Sequence, residues 1–150
     1  MNDDGADNEI SETLGIEPGM TVVILNAPNY FDYDLGRLPE GVTVHRDAFE
    51  QPADLFLIFA ARPDEAERGF QRALTVLPKD GAIWIAWERD PPNDGNGLDE
   101  EVVRDLFEGT GLTDDKASMI NDTWQGLRFV VAEDNRDDWE KMRVEPPVRE

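Results

Sequence analysis

The chain of 150 residues has no cysteine, one histidine (His45) and only three lysines, Lys79, Lys116 and Lys141. Without thiols there can be neither disulfides nor thiolate metal ligands, and a single imidazole cannot build a His-rich zinc site. Carboxylate-only magnesium or calcium sites stay chemically open, but EF-hand spacing is absent. No apolar run approaches the ~18 residues of a membrane span. The first dozen residues, MNDDGADNEISE, are acidic where a secretory leader would be basic and then apolar. The expectation is a soluble, cytoplasmic protein with no metal centre.

Positive charge is the scarcest resource. Asp and Glu number 34 against 14 Lys and Arg, a formal charge of −20, which repels nucleic-acid backbones and anionic membranes and removes both as expected partners. An acidic, lysine-poor chain suits a salt-rich cytoplasm, where a short Debye length screens self-repulsion. Acidic tails on an ordinary domain explain the same composition. The length suits one domain, with a mobile acidic segment over 1–10, a single folded unit over 11–132 and a charged, loosely ordered segment over 133–150.

Apolar runs at Val22–Leu25, Leu55–Ala60 and Ala82–Trp87 suit strands buried on both faces, and Val42–His45 alternates like a strand with one polar face. Pro63 opens a helix whose Ala66, Phe70, Ala73, Leu74 and Leu77 recur at intervals of three and four. Pro78 and Gly81 stop it. Asp99 reads as the N-cap of a second helix, with Leu98 and Val103 as its hydrophobic staple. Lys116–Ile120 and Leu127–Val131, separated by NDTWQG, read as an antiparallel hairpin. Alternating strands and helices predict an α/β, Rossmann-like three-layer sandwich of about six strands, mostly parallel, ending in that hairpin. The link between the second and third strands is too short for a crossover helix.

The segments LNAP (Leu25–Pro28), GAIWIAW (Gly81–Trp87), LDEEVVR (Leu98–Arg104) and DTWQGLRFV (Asp122–Val130) together resemble a bacterial family of unknown function with a class I methyltransferase-like fold. The LPKDG turn, Leu77–Gly81, is similar to the turn before the fifth strand of that fold. The resemblance implies a reduced methyltransferase topology and carries no activity with it.

In open parallel sheets, ligands bind beyond the carboxyl ends of the strands. The candidate ligand-binding residues are therefore Asn26, Pro28, Asn29, Tyr30, Asp47, Arg62 and Trp87, with Trp124 a candidate interaction residue in the hairpin turn. The first loop is unsuited to S-adenosylmethionine. It contains no glycine, and Pro28 offers no N–H where a cofactor cradle presents several. Asp47 lies where an acid often holds ribose hydroxyls. Arg62 is expected to pair with Asp64 or Glu65 at the surface. No Ser or Cys has a legible base partner, so no catalytic residue is assigned. The function expected is a non-catalytic module for an unknown small molecule or protein, without cofactor. The alternatives are an S-adenosylmethionine-dependent methyltransferase with a non-standard loop and a nucleotide or metabolite sensor. Melting temperature separates the two explanations of the acidity: it rises between low and molar KCl for a salt-adapted protein, and stays level if the charge merely sits in tails.

Overall fold

A computed structural model describes residues 9–29, 31, 35–36, 38–46, 52–89, 98–121 and 123–139. In chain order they form α1 (Glu9–Leu14), β1 (Thr21–Leu25), β2 (Thr43–Arg46), β3 (Leu55–Phe59), α2 (Pro63–Leu74), β4 (Ala82–Glu88), α3 (Glu100–Leu106), β5 (Leu112–Met119), β6 (Trp124–Val131) and a 3-10 turn, Glu133–Asn135. The six strands make one sheet in the order β2-β1-β3-β4-β6-β5. β2, β1, β3 and β4 run parallel, and β6 pairs antiparallel with both β4 and β5. The expected α/β architecture and strand number are therefore present.

Alternation along the central strands builds two cores. Val23, Leu25, Phe56, Ile58, Ile83, Ile85 and Trp87 face α2 and α3, where Phe70, Phe107 and Phe129 stack at centroid distances of 4.2 and 3.8 Å. Val22, Ile24, Leu55, Leu57, Phe59, Trp84 and Ala86 face the other side, covered by Ile10 and Leu14 of α1 with Phe31 and Leu35. Strands sandwiched this way need apolar residues at every position, which is why β3 is buried throughout. At the amino edge, Asp54 ties three strands together. Its carboxylate accepts the Thr21 N–H at 3.0 Å, its own N–H donates to Thr21 O, and its carbonyl accepts from Ala82.

The helices are short and are held by tertiary contacts. α2 runs from Pro63 at its first position and ends at Leu74, one turn before Pro78. Asp99 caps α3, its side chain accepting the Val102 N–H at 2.9 Å, as expected of an N-cap. Arg104 joins α3 to β5 through Glu100 and Asp114, and those hydrogen bonds hold its guanidinium above its ordinary pKa. At six residues, α1 is below the length at which a helix is stable alone. Gly15, at φ +86, closes it, letting Ile16 N–H return to Ser11 O at 2.9 Å. Its last carbonyls are taken by the sheet: Trp84 Nε1 donates to Leu14 O at 2.9 Å and Lys116 Nζ to Thr13 O at 2.7 Å.

Two expectations change. β5 starts at Leu112 rather than Lys116, because an edge strand exposes its polar side chains and loses the apolar signature; a register shift between Asp114 and Lys116 breaks its edge. The hairpin turn is confined to 120–123, where Asn121 Oδ1 accepts the N–H groups of Thr123 and Trp124, so Trp124 lies in β6 and not in the turn. Ile10 is buried in α1, and Trp139 is buried with its Nε1 donating to Leu77 O at 2.7 Å, while Arg136 pairs with Asp80. Among the described residues, no helix is long and apolar enough to cross a membrane.

Trp84→Phe keeps the ring but withdraws the donor from Leu14 O, and should cost about 1–3 kcal/mol in urea unfolding. Gly126→Ala should cost about 1–3 kcal/mol as well, since a Cβ there would meet Trp84 Cε3 at 3.0 Å and Ile85 O at 3.1 Å.

Candidate functional site

From β1 the chain goes to β2 on one side and returns to β3 on the other, so the sheet's switch point lies between β1 and β3. Ligands of open α/β sheets bind in the crevice beyond the carboxyl ends at such a point. Here Asn26 spans it and Phe31 packs against its β3 side. Asn26 ends β1 at φ +61, a left-handed conformation that Asn tolerates better than most residues, and its Nδ2 reaches Phe59 O across the crevice at 3.5 Å. The loop then folds back, with Phe31 N–H donating to Pro28 O at 3.0 Å. That turn drives Phe31 into the sheet.

Phe31 is 0% exposed and meets Phe59, the last residue of β3, edge-on at 4.9 Å. Phe59 in turn meets Trp124 edge-on at 5.0 Å. Ala86 pairs with Gly126 and sits level with Phe59 in β4, so little side chain separates the two rings. On the opposite face the carboxyl end carries Trp87, 3% exposed and packed with Leu98. Aromatic side chains thus close both faces at this end.

The sequence-derived candidates divide accordingly. Asn26 and Asn29 are exposed at the rim, Pro28 is half-buried, and Arg62 is exposed at the N-cap of α2. Trp87 is buried core, and Trp124 is half-buried with its ring edge-on to Phe59. Tyr30 and Asp47 lie outside the described residues. The expected pairing of Arg62 with Asp64 or Glu65 is not found, because Asp64 pairs with Arg68 at 3.8 Å and Glu65 accepts the Ala61 N–H at 2.8 Å. Among the described residues, no group of three His, Asp or Glu could hold a metal ion.

Phe31 and Phe59 are the site residues that sequence reasoning missed. Phe59 was legible only as core. Phe31 had one signal, its four-residue spacing from Leu35 within the acidic segment FDYDL, which matches the single buried stripe of a helical turn. Phe31→Ala should cost about 3–5 kcal/mol in urea unfolding, well above the cost of changing a loop residue of no structural consequence.

No protein-family model matches this chain, and no curated protein matches it. Solved structures resemble it in fold. An O-methyltransferase family 2 protein from Planctomyces limnophilus, in complex with apigenin, is 11% identical with a TM-score of 0.55, covering 77% of this chain and 50% of its own. A SAM-dependent methyltransferase from Aquifex aeolicus is 13% identical with a TM-score of 0.54, covering 88% and 94%. Magnesium protoporphyrin IX methyltransferase from Synechocystis, with bound SAM, is 9% identical with a TM-score of 0.52, covering 86% and 77%. This chain thus spans half the length of the first. The fold is methyltransferase-like, a six-stranded mixed sheet with an antiparallel C-terminal hairpin.

Proposed function

We propose that this chain is a methyltransferase-like domain that acts as a binding or interaction module and does not transfer methyl groups. The observation that carries the reading is the fully buried Phe31 ring against Phe59 at the switch point. Fold persists where sites are lost, and three local features oppose the cofactor. The stretch Asn26–Tyr30 directly after β1 has no glycine to let a ligand approach the backbone. Pro28 has no N–H to give, and its carbonyl is turned back onto Phe31 N–H. The residues present therefore do not fit S-adenosylmethionine in the usual cradle, and no methyl-transfer step is assigned to them.

A second reading is favoured by the fold neighbours: the Synechocystis enzyme holds SAM, and an unorthodox loop in this chain could hold it in another way. Calorimetry separates the two. S-adenosylmethionine and S-adenosylhomocysteine should give no saturable heat at millimolar ligand. Micromolar binding, lost in Asp47→Ala, would overturn the reading of a module without this cofactor.

A further inference from the structure

We propose that α1 is a salt-gated strap, which opens from the sheet as a unit at low ionic strength and docks at high, while the sheet beneath it stays folded. At six residues it has no stability of its own, so it persists only where it is docked. Its apolar grip is Ile10, Leu14 and, just past its end, Ile16, all buried on the face that holds Val22, Leu57 and Trp84. Its polar grip lies in the last turn, where the helix dipole is negative and carbonyls lack partners within the helix. There Lys116 Nζ donates to Thr13 O at 2.7 Å and Trp84 Nε1 to Leu14 O at 2.9 Å. The same ammonium stands 6.0 Å from the centre of the Trp84 ring, so one lysine steadies both the helix end and the indole. Arg128 also reaches this turn, since a Cβ on Gly15 would come within 2.9 Å of its Nη1. Its charge is offset by Asp115, which accepts from both Nε and Nη2.

A hinge adjoins the strap. Glu17, Pro18 and Gly19 are exposed between Ile16 and Met20, and Gly15 and Gly19 have positive φ at +86 and +83. Gly19 N–H donates to Glu40 O at 3.0 Å, which fixes the far end of the hinge to the body of the domain. Charge decides which way the strap moves. Residues 1–14 include Asp3, Asp4, Asp7, Glu9 and Glu12 and neither Lys nor Arg, in a chain whose formal charge is −20, so the rest of the chain repels them. At about 0.01 M salt the Debye length is about 30 Å and that repulsion acts across the domain; at about 1 M it is about 3 Å and only contacts survive. The Lys116 bond is such a contact. Added salt therefore removes the force that lifts the strap before it removes the bond that holds it. The indole of Trp84, 0% exposed with the strap down, is uncovered when it lifts.

The test is hydrogen exchange of the full chain at low and at molar KCl, read by mass spectrometry, with each rate taken relative to the unfolded chain at the same salt. Peptides covering 10–16 should exchange about tenfold faster at low salt, while Phe56–Ile58 in β3 stay protected at both. Lys116→Met keeps the stem and removes the donor, and should speed exchange of 10–16 about tenfold at molar salt with β3 unchanged. An Asp3→Asn, Asp4→Asn, Asp7→Asn, Glu12→Gln variant removes charge from the strap and its leading residues but none of the bonds above. It should exchange at low salt nearly as slowly as the parent does at molar salt. Exchange of 10–16 that ignores salt, or that rises only together with β3, overturns the proposal. So does a Lys116→Met protein that matches the parent, or a neutralised variant as salt-sensitive as the parent.

Discussion

The carboxyl end of the sheet depends on the contact between Phe31 and Phe59. β1 and β3 are buried on both faces, so the crevice between their ends must be covered by a ligand or by protein. A glycine loop would leave room for the former. Here the loop turns at Pro28 and inserts a ring whose burial contributes about 2–3 kcal/mol, with about 0.5–1.5 kcal/mol more from each edge-on aromatic pair. Phe59 then serves as the hub for Trp124, and Asn26 spans the crevice beside it.

The same economy governs the periphery. Only eight residues, 47–54, join β2 to β3, so one strand and helix pair of a full-length methyltransferase sheet has no counterpart between them. Cover is supplied by short segments fastened at single polar points. Trp84 holds the end of α1 by giving its indole N–H to Leu14 O, in the helix's last turn, and Trp139 holds the turn that follows α2 by donating to Leu77 O. Both indoles are buried, where a lost hydrogen bond is costly. Ile10 and Leu14 of α1 thereby join one core and Trp139 the other.

What the sequence disclosed follows from this arrangement. Strands buried on both faces, such as LFLIF, announce themselves as apolar runs, and α3 announces itself by its Asp99 cap; those elements lie where the pattern puts them. β5 was partly hidden because edge pairing is made by backbone while its Asp114, Asp115 and Lys116 side chains look like loop. Gly126 resembles a turn residue but stands in mid-strand, where Trp84 and Ile85 leave no room for a Cβ. Trp139 lies in a stretch so acidic that its burial has no local signature. At the site, Pro28 and the missing glycines were legible as chemistry withheld. That Phe31 fills the space was not, because only the tertiary fold brings it to Phe59.

Asn26 and the Phe31 ring both bear on the carboxyl end of β3, through Phe59. The most direct test is a crystal structure of the protein grown in saturating S-adenosylmethionine. The Phe31 ring should remain edge-on to Phe59 near 4.9 Å, with no ligand density between the ends of β1 and β3. Density for the cofactor in that crevice, with Phe31 displaced, would contradict the proposal that Phe31 takes the place of the cofactor.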